Sequence, residues 1–125
     1  MEILLDTNFI IYCVRQKIDF FSLAAEIIDD KIEWVVPFEV LAELEQISKR
    51  TGEKEADKLA AKIGLEMTKV ICAKIVNVKG KNVDQGIVNY ILDKDIVLAT
   101  LDKNLKRRIK NRILTIRKFR TLELL

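Results

Sequence analysis

Four carboxylates from four separate stretches of this 125-residue chain, Asp6, Glu43, Asp84 and Asp102, are the side chains whose type and placement could do chemistry. There is no histidine, which removes Ser/His and Cys/His nucleophilic sites, histidine bases and most zinc sites. Cys13 and Cys72 have no CxxC spacing and are too few for a disulfide scaffold, so both are expected as free thiols inside a core. Carboxylates, hydroxyls, lysines or a bound hard cation are left to carry any reaction. Two like charges about 4 Å apart repel by roughly 4 kcal/mol at an effective dielectric near 20. Crowded acids must therefore bind protons or share a cation. All-oxygen ligands suit Mg²⁺ or Mn²⁺, and with one or two such ions the favoured reaction is phosphodiester hydrolysis.

The elements that must position these acids follow from the apolar pattern. Ile3, Leu4 and Leu5 form a short buried run that ends at Asp6, and Thr7 and Asn8 precede the helical stripe Phe9, Ile10, Ile11 and Val14. The order strand, acid, helix puts Asp6 where open α/β sheets bind ligands. A second helix is expected over Ile18 to Asp30, and a strand at Trp34 to Val36 is closed by Pro37. From Phe38 to about Arg50 a helix carries Glu43 at the edge of its buried stripe. A long helix over Glu53 to Cys72 and an edge strand at Lys74 to Val78 come next. Asp84 then stands in N-cap position before Ile87, Val88 and Ile91. A buried strand at Ile96 to Ala99 leads to Thr100 and Asp102, a helix on Leu105 and Ile109, and a last strand at Ile113 to Ile116. This alternation predicts one α/β domain over residues 1–125, a three-layer α/β/α sandwich around a parallel sheet of about five strands. All four acids can meet at one sheet edge. If the first and fourth strands are neighbours, Asp6 and Asp102 flank the topological switch point.

Singly, each acid has a cheaper explanation: Asp6 and Asp84 as caps, Asp102 as a turn residue, Glu43 as a solvated helix position. Agreement among four segments is what points to a site. In that order the segments resemble the PIN domain nucleases: LLDTNFII resembles the family's first motif, VLAELEQI its glutamate motif, VDQGIV its third acid and ATLDKNLKRRIK its final T-x-D motif. The resemblance spans essentially the whole chain and is nearest to archaeal PIN proteins of the rRNA-processing type. It implies Mg²⁺- or Mn²⁺-dependent cleavage of single-stranded RNA by Asp6, Glu43, Asp84 and Asp102, with the metal on the aspartates and with Asn8 and Thr100 as supporting polar groups. It leaves open an antitoxin or a ribosome-assembly partner, and a homodimer. Gln85, Leu101 and Asn104 stand where relatives often carry further polar or acidic residues, so the outer acids are thinned.

Charge is segregated along the chain. Lys103 to Arg120 holds nine of the 22 basic side chains and no acid, leaving 13 against all 19 acids in the rest. The expectation is a basic helix starting at Asp102 whose Lys103, Lys106, Arg107 and Arg108 hold RNA phosphates beside the metal. Aromatic residues are too sparse, at 6%, to suggest a base-stacking platform. The longest apolar runs fall far short of the ~20 residues of a membrane span, and a soluble cytoplasmic protein without membrane contact is expected. A degenerate PIN domain that binds RNA or protein without cutting is the main alternative. A phosphoacceptor receiver domain fits less well, because Asp6 lacks an adjacent acid and the third strand ends Asn77, Val78, Lys79.

Overall fold

A computed structural model describes residues 1–125, apart from the side chain of Phe119. Its elements are β1 (Glu2–Leu5), α1 (Thr7–Arg15), α2 (Phe20–Ile27), β2 (Glu33–Pro37), α3 (Phe38–Lys49), α4 (Glu55–Val70), β3 (Lys74–Val76), α5 (Val83–Ile91), β4 (Ile96–Ala99), α6 (Lys103–Arg107), β5 (Ile113–Arg117) and β6 (Thr121–Leu124). The strands form one sheet in the order β3-β2-β1-β4-β5-β6. Every pairing is parallel except β5 with β6.

Alternation along the buried strands builds the layers, since successive side chains leave a strand on opposite faces. Ile3, Leu5, Trp34, Val36, Val97 and Ala99 share a core with α1, α2, α3 and α4. Leu4, Val35, Ile96 and Leu98 pack instead against Ile87 and Ile91 of α5 and Leu105 of α6. Phe20 anchors the larger core, with Phe9 and Trp34 rings edge-on at 5.5 and 5.3 Å between centroids. Because β1 lies between β2 and β4, the chain leaves β1 toward opposite halves of the sheet. The switch point is therefore where Asp6 and Thr100 sit.

The expected three-layer architecture is present, with corrections in detail. The sheet has six strands, since Thr121–Leu124 adds an antiparallel edge beyond β5. The basic run is not one helix. α6 stops at Arg107, and the Asn111 side-chain amide then donates to the carbonyls of Ile91, Lys94 and Ile96 at 3.1, 2.9 and 2.9 Å, pinning the chain as it enters β5. Arg117 belongs to β5, and Lys118 to Arg120 form a 3₁₀ turn. Asn82, not Asp84, caps α5, accepting the Gln85 N–H at 2.9 Å. Asp84 lies in the first turn. Cys13 is buried as expected, but Cys72 falls past the end of α4 and is exposed. No helix among the described residues is long and apolar enough to cross a membrane.

Candidate active site

Asp6 is held by both neighbouring elements. Its backbone N–H donates to the Ala99 carbonyl of β4 at 3.1 Å, so it stays in sheet register. Its side chain caps α1, Oδ1 accepting the Thr7 N–H at 2.8 Å. Thr100, the first residue past β4 and fully buried, donates its hydroxyl to Oδ2 at 2.8 Å. Only 4% of Asp6 is exposed. Burial pushes its carboxyl up to about 6 from the ordinary 3.8; the Thr100 and Thr7 bonds oppose that rise, while the charges of Asp84 and Glu43 add to it.

Glu43, half-buried on α3, feels the same neighbourhood. Burial raises its pKa first and the Asp84 charge second, while the Thr7 hydroxyl and the Arg50 guanidinium lower it. The Thr7 hydroxyl is thus near enough to favour an ionised Glu43. Its geometry still falls short of a hydrogen bond, and Thr7 Oγ1 is buried with no partner among the described residues. Asp6, Glu43 and Asp84 therefore share one electrostatic field. Asp102 stands beside it. Its N–H donates to Thr100 Oγ1 at 3.1 Å, so one hydroxyl links Asp6 to Asp102. Its own Oδ1 caps α6, accepting from Asn104 and Leu105 N–H at 2.9 and 3.2 Å. Asn8 is exposed in the first turn of α1.

Asp84 is placed by groups that sequence reasoning did not single out. Glu39, one turn before Glu43 on α3, accepts the Val78 N–H at 3.0 Å, and Asn89 of α5 donates to the Lys79 carbonyl at 2.8 Å. The Val78–Asn82 loop is thereby tied to α3 on one side and to α5 on the other. The close approach requires glycine: a Cβ on Gly80 would meet Gly86 N at 2.5 Å and Gln85 C at 2.8 Å, both backbone. Glu39 stands four residues before Glu43 in the sequence, but its partner lies 39 residues away. Gln85 also receives the Arg108 guanidinium on its side-chain oxygen, joining α5 to the end of α6. Of the other expected phosphate-binding residues, Lys103 and Arg107 are exposed, and Lys106 donates to Thr115 Oγ1 of β5 at 3.0 Å.

Residues 3–121 match the family model described as a PIN like domain. The chain belongs to the PIN-like domain family. Ribonuclease VapC4 of Methanocaldococcus jannaschii is 32% identical over 109 residues, covering 86% of this chain and 82% of that protein. The rRNA-processing protein fcf1 of Schizosaccharomyces pombe is 32% identical over 112 residues, covering 87% of this chain but 53% of its own, so this chain spans about half of that relative. Among solved structures, the PIN domain endonuclease Utp24 superposes with a TM-score of 0.79 at 28% identity, covering 98% of this chain and 90% of that one. The Rickettsia felis VapBC2 structure, bound to a DNA fragment from its promoter, shares the fold at a TM-score of 0.64 and 18% identity, covering 94% of this chain and 100% of that one.

In this PIN domain the donor chemistry at the switch point fits a small hard cation. Carboxylate oxygens crowd there in a partly desolvated setting, and a buried hydroxyl beside them lacks a partner. No group of three acids among the described residues is placed to hold a metal ion on its own. Mg²⁺ does not need three, because it keeps several waters and binds through one or two carboxylates plus substrate phosphates.

Proposed function

We propose that this PIN domain is a metal-dependent endoribonuclease that hydrolyses phosphodiester bonds of single-stranded RNA at Asp6, Glu43, Asp84 and Asp102. The observation that carries the reading is Asp6: a buried carboxylate at the switch point, raised to about 6 beside two further acids. A protein gains nothing structural from holding three acids in one field. A cation removes the conflict, and RNA is the substrate class common to the printed names of VapC4, a ribonuclease, and fcf1, an rRNA-processing protein.

Asp6 and Asp84 would hold Mg²⁺ or Mn²⁺, with Asp102 completing the set on the far side of Thr100. When bound, such an ion supplies Lewis-acid stabilisation of charge developing on the phosphate and the leaving oxygen. The protein's own residues do the positioning. Thr100 fixes the Asp6 carboxylate and the Asp102 backbone through one hydroxyl. Glu43, whose burial and whose neighbour Asp84 raise its pKa above that of a free glutamate, stands beside the Thr7 hydroxyl, where it can accept a proton from an oriented water. Lys103 opens α6, Lys106 and Arg107 lie in its last turn, and all three suit the approaching phosphates.

A second reading is an RNA-binding PIN domain that does not cut, favoured by the lack, among the described residues, of any three acids placed to hold a metal ion. Incubating purified protein with 5′-labelled single-stranded RNA and titrating Mn²⁺ separates the two. The nuclease reading expects cleavage that rises with Mn²⁺, stops with EDTA and is lost in Asp6→Asn. RNA binding without cleavage at any Mn²⁺ concentration would establish the second reading.

A further inference from the structure

Parallel strands β1, β4 and β5 end on the same edge of the sheet, in the register Leu5 with Ala99 and Ala99 with Leu114. The 3₁₀ turn that leaves β5 therefore lies on the edge that carries Asp6 and Asp102. That turn is a fixed corner. Arg120 adopts a left-handed backbone with φ of 58°, and Thr121 Oγ1 donates to the Lys118 carbonyl at 2.9 Å. Between this corner and α6 runs an open groove of about 730 Å³, lined by Lys106, Thr115, Arg117, Lys118, Thr121 and Glu123 among others.

Its charges are unevenly satisfied. Glu123 is the one acid in the lining, and it pairs with Arg117. Among the described residues, Lys106 reaches only the neutral Thr115 hydroxyl. Lys118 is exposed, Arg120 on the corner just outside the lining is also exposed, and neither has a carboxylate partner among the described residues. Surplus positive charge flanked by hydroxyls matches a run of backbone phosphates, since lysine and arginine provide charge while threonine hydroxyls accept or donate singly. A second basic cavity, lined by Lys94, Arg108, Lys110 and Arg112, includes Asp93 and Asp95. It lies where β4 and β5 begin, at the opposite end of the sheet. Its acids offset part of its charge.

We propose that the groove between α6 and the β5–β6 corner is the track along which the RNA backbone leaves the acidic site, with Lys106, Lys118 and Arg120 holding successive phosphates. This rests on the nuclease reading for the direction of approach and adds a binding surface outside the acids. The contacts are to phosphates, so affinity depends on ionic strength and not on sequence.

The test measures binding of a fluorescein-labelled 15-nucleotide polyuridylate by anisotropy in EDTA, across about 50–300 mM salt, for the full chain. Lys118→Glu with Arg120→Glu is compared with Lys110→Glu with Arg112→Glu, which changes net charge equally at the other end. The expected result is an affinity loss of about tenfold or more for the corner variant and a flattening of its log–log salt slope by about 1.4, at roughly 0.7 per phosphate on a single strand. The opposite-end variant is expected to stay within about twofold of wild type. Lys118→Gln with Arg120→Gln serves if the charge reversal fails to fold by circular dichroism, and it is expected to flatten the slope in the same direction. Equal losses in both regions would show a net-charge effect and overturn the track. An unchanged slope at the corner in a protein that binds RNA would overturn the track alone, whereas wild-type protein that binds no RNA would overturn the nuclease reading with it.

Discussion

Asp6 sets the energetics of the site at the scale of a single residue. Its folded carboxyl holds a proton up to about 6, against 3.8 ordinarily. Between those values the folded state binds more protons than the unfolded chain, so stability falls as pH rises through the window. Below about 3.8 both states are protonated and the penalty is absent; above about 6 it is complete, at about 3 kcal/mol. In metal-free protein, Asp6→Asn is therefore expected to raise unfolding free energy at pH 8 by about 1–3 kcal/mol, an advantage that shrinks to nothing by pH 4. Urea denaturation at both pH values checks this, and equal destabilisation at both would make Asp6 a simple cap. Thr100→Val leaves Asp6 Oδ2 and the Asp102 N–H without a partner. A loss of about 1–3 kcal/mol is expected, larger at pH 8 than at pH 4, because the buried carboxylate suffers more than the neutral acid. At this scale the sequence was informative about Asp6 and Thr100, which directly follow strands. It was silent on the orphaned Thr7 hydroxyl, whose surroundings come from α3.

At the scale of elements, the loop before α5 decides where Asp84 lies. Gly80 packs against the backbone of Gly86 and Gln85 at distances no Cβ tolerates. Gly80→Ala must part the loop from the first turn of α5 and is expected to cost about 1–3 kcal/mol, the usual range for overpacking. It is also expected to weaken Mn²⁺ binding by displacing Asp84; thermal melts and Mn²⁺ titration on the same variant test both. Retained stability with wild-type Mn²⁺ affinity would mean that the loop does not position the acid. The helices α1, α3 and α4 and strands β1, β2 and β4 were legible because their apolar residues recur at clean periods. Asn82 displaced Asp84 as the cap of α5 because its side-chain Oδ1, not the aspartate, accepts the Gln85 N–H. The basic helix that Asp102 opens stops at Arg107 for a tertiary reason: Asn111 captures three carbonyls and draws the chain into β5. Nothing local in KNLKRRIKNR announces that.

The whole molecule is a switch-point architecture; strand alternation anticipated the parallel sheet because buried parallel strands have a strong apolar signature, while the order that sets β1 beside β4 comes from the structure. The edge strand β6 escaped detection. Of its four residues Leu122 alone is buried, and the turn into it uses left-handed Arg120 in place of glycine or asparagine. The central claim also acts on the whole molecule through linkage, since an ion that binds only the folded state stabilises it by RT ln(1 + [L]/Kd). At Mn²⁺ a hundredfold above Kd the stabilisation is about 2.7 kcal/mol. A clear rise in melting temperature on adding Mn²⁺, reversed by EDTA and absent in Asp6→Asn with Asp84→Asn, is the expected outcome.

The most direct measurement is an electron paramagnetic resonance titration of Mn²⁺ into metal-free wild-type protein and the Asp6→Asn, Glu43→Gln and Asp84→Asn variants, reporting free ion. The account predicts stoichiometric uptake by wild type and affinity at least tenfold weaker in Asp6→Asn and Asp84→Asn, with all proteins folded. Identical Mn²⁺ binding by wild type and the Asp6→Asn and Asp84→Asn variants, or none by wild type, would contradict the claim that these acids are gathered to hold a cation.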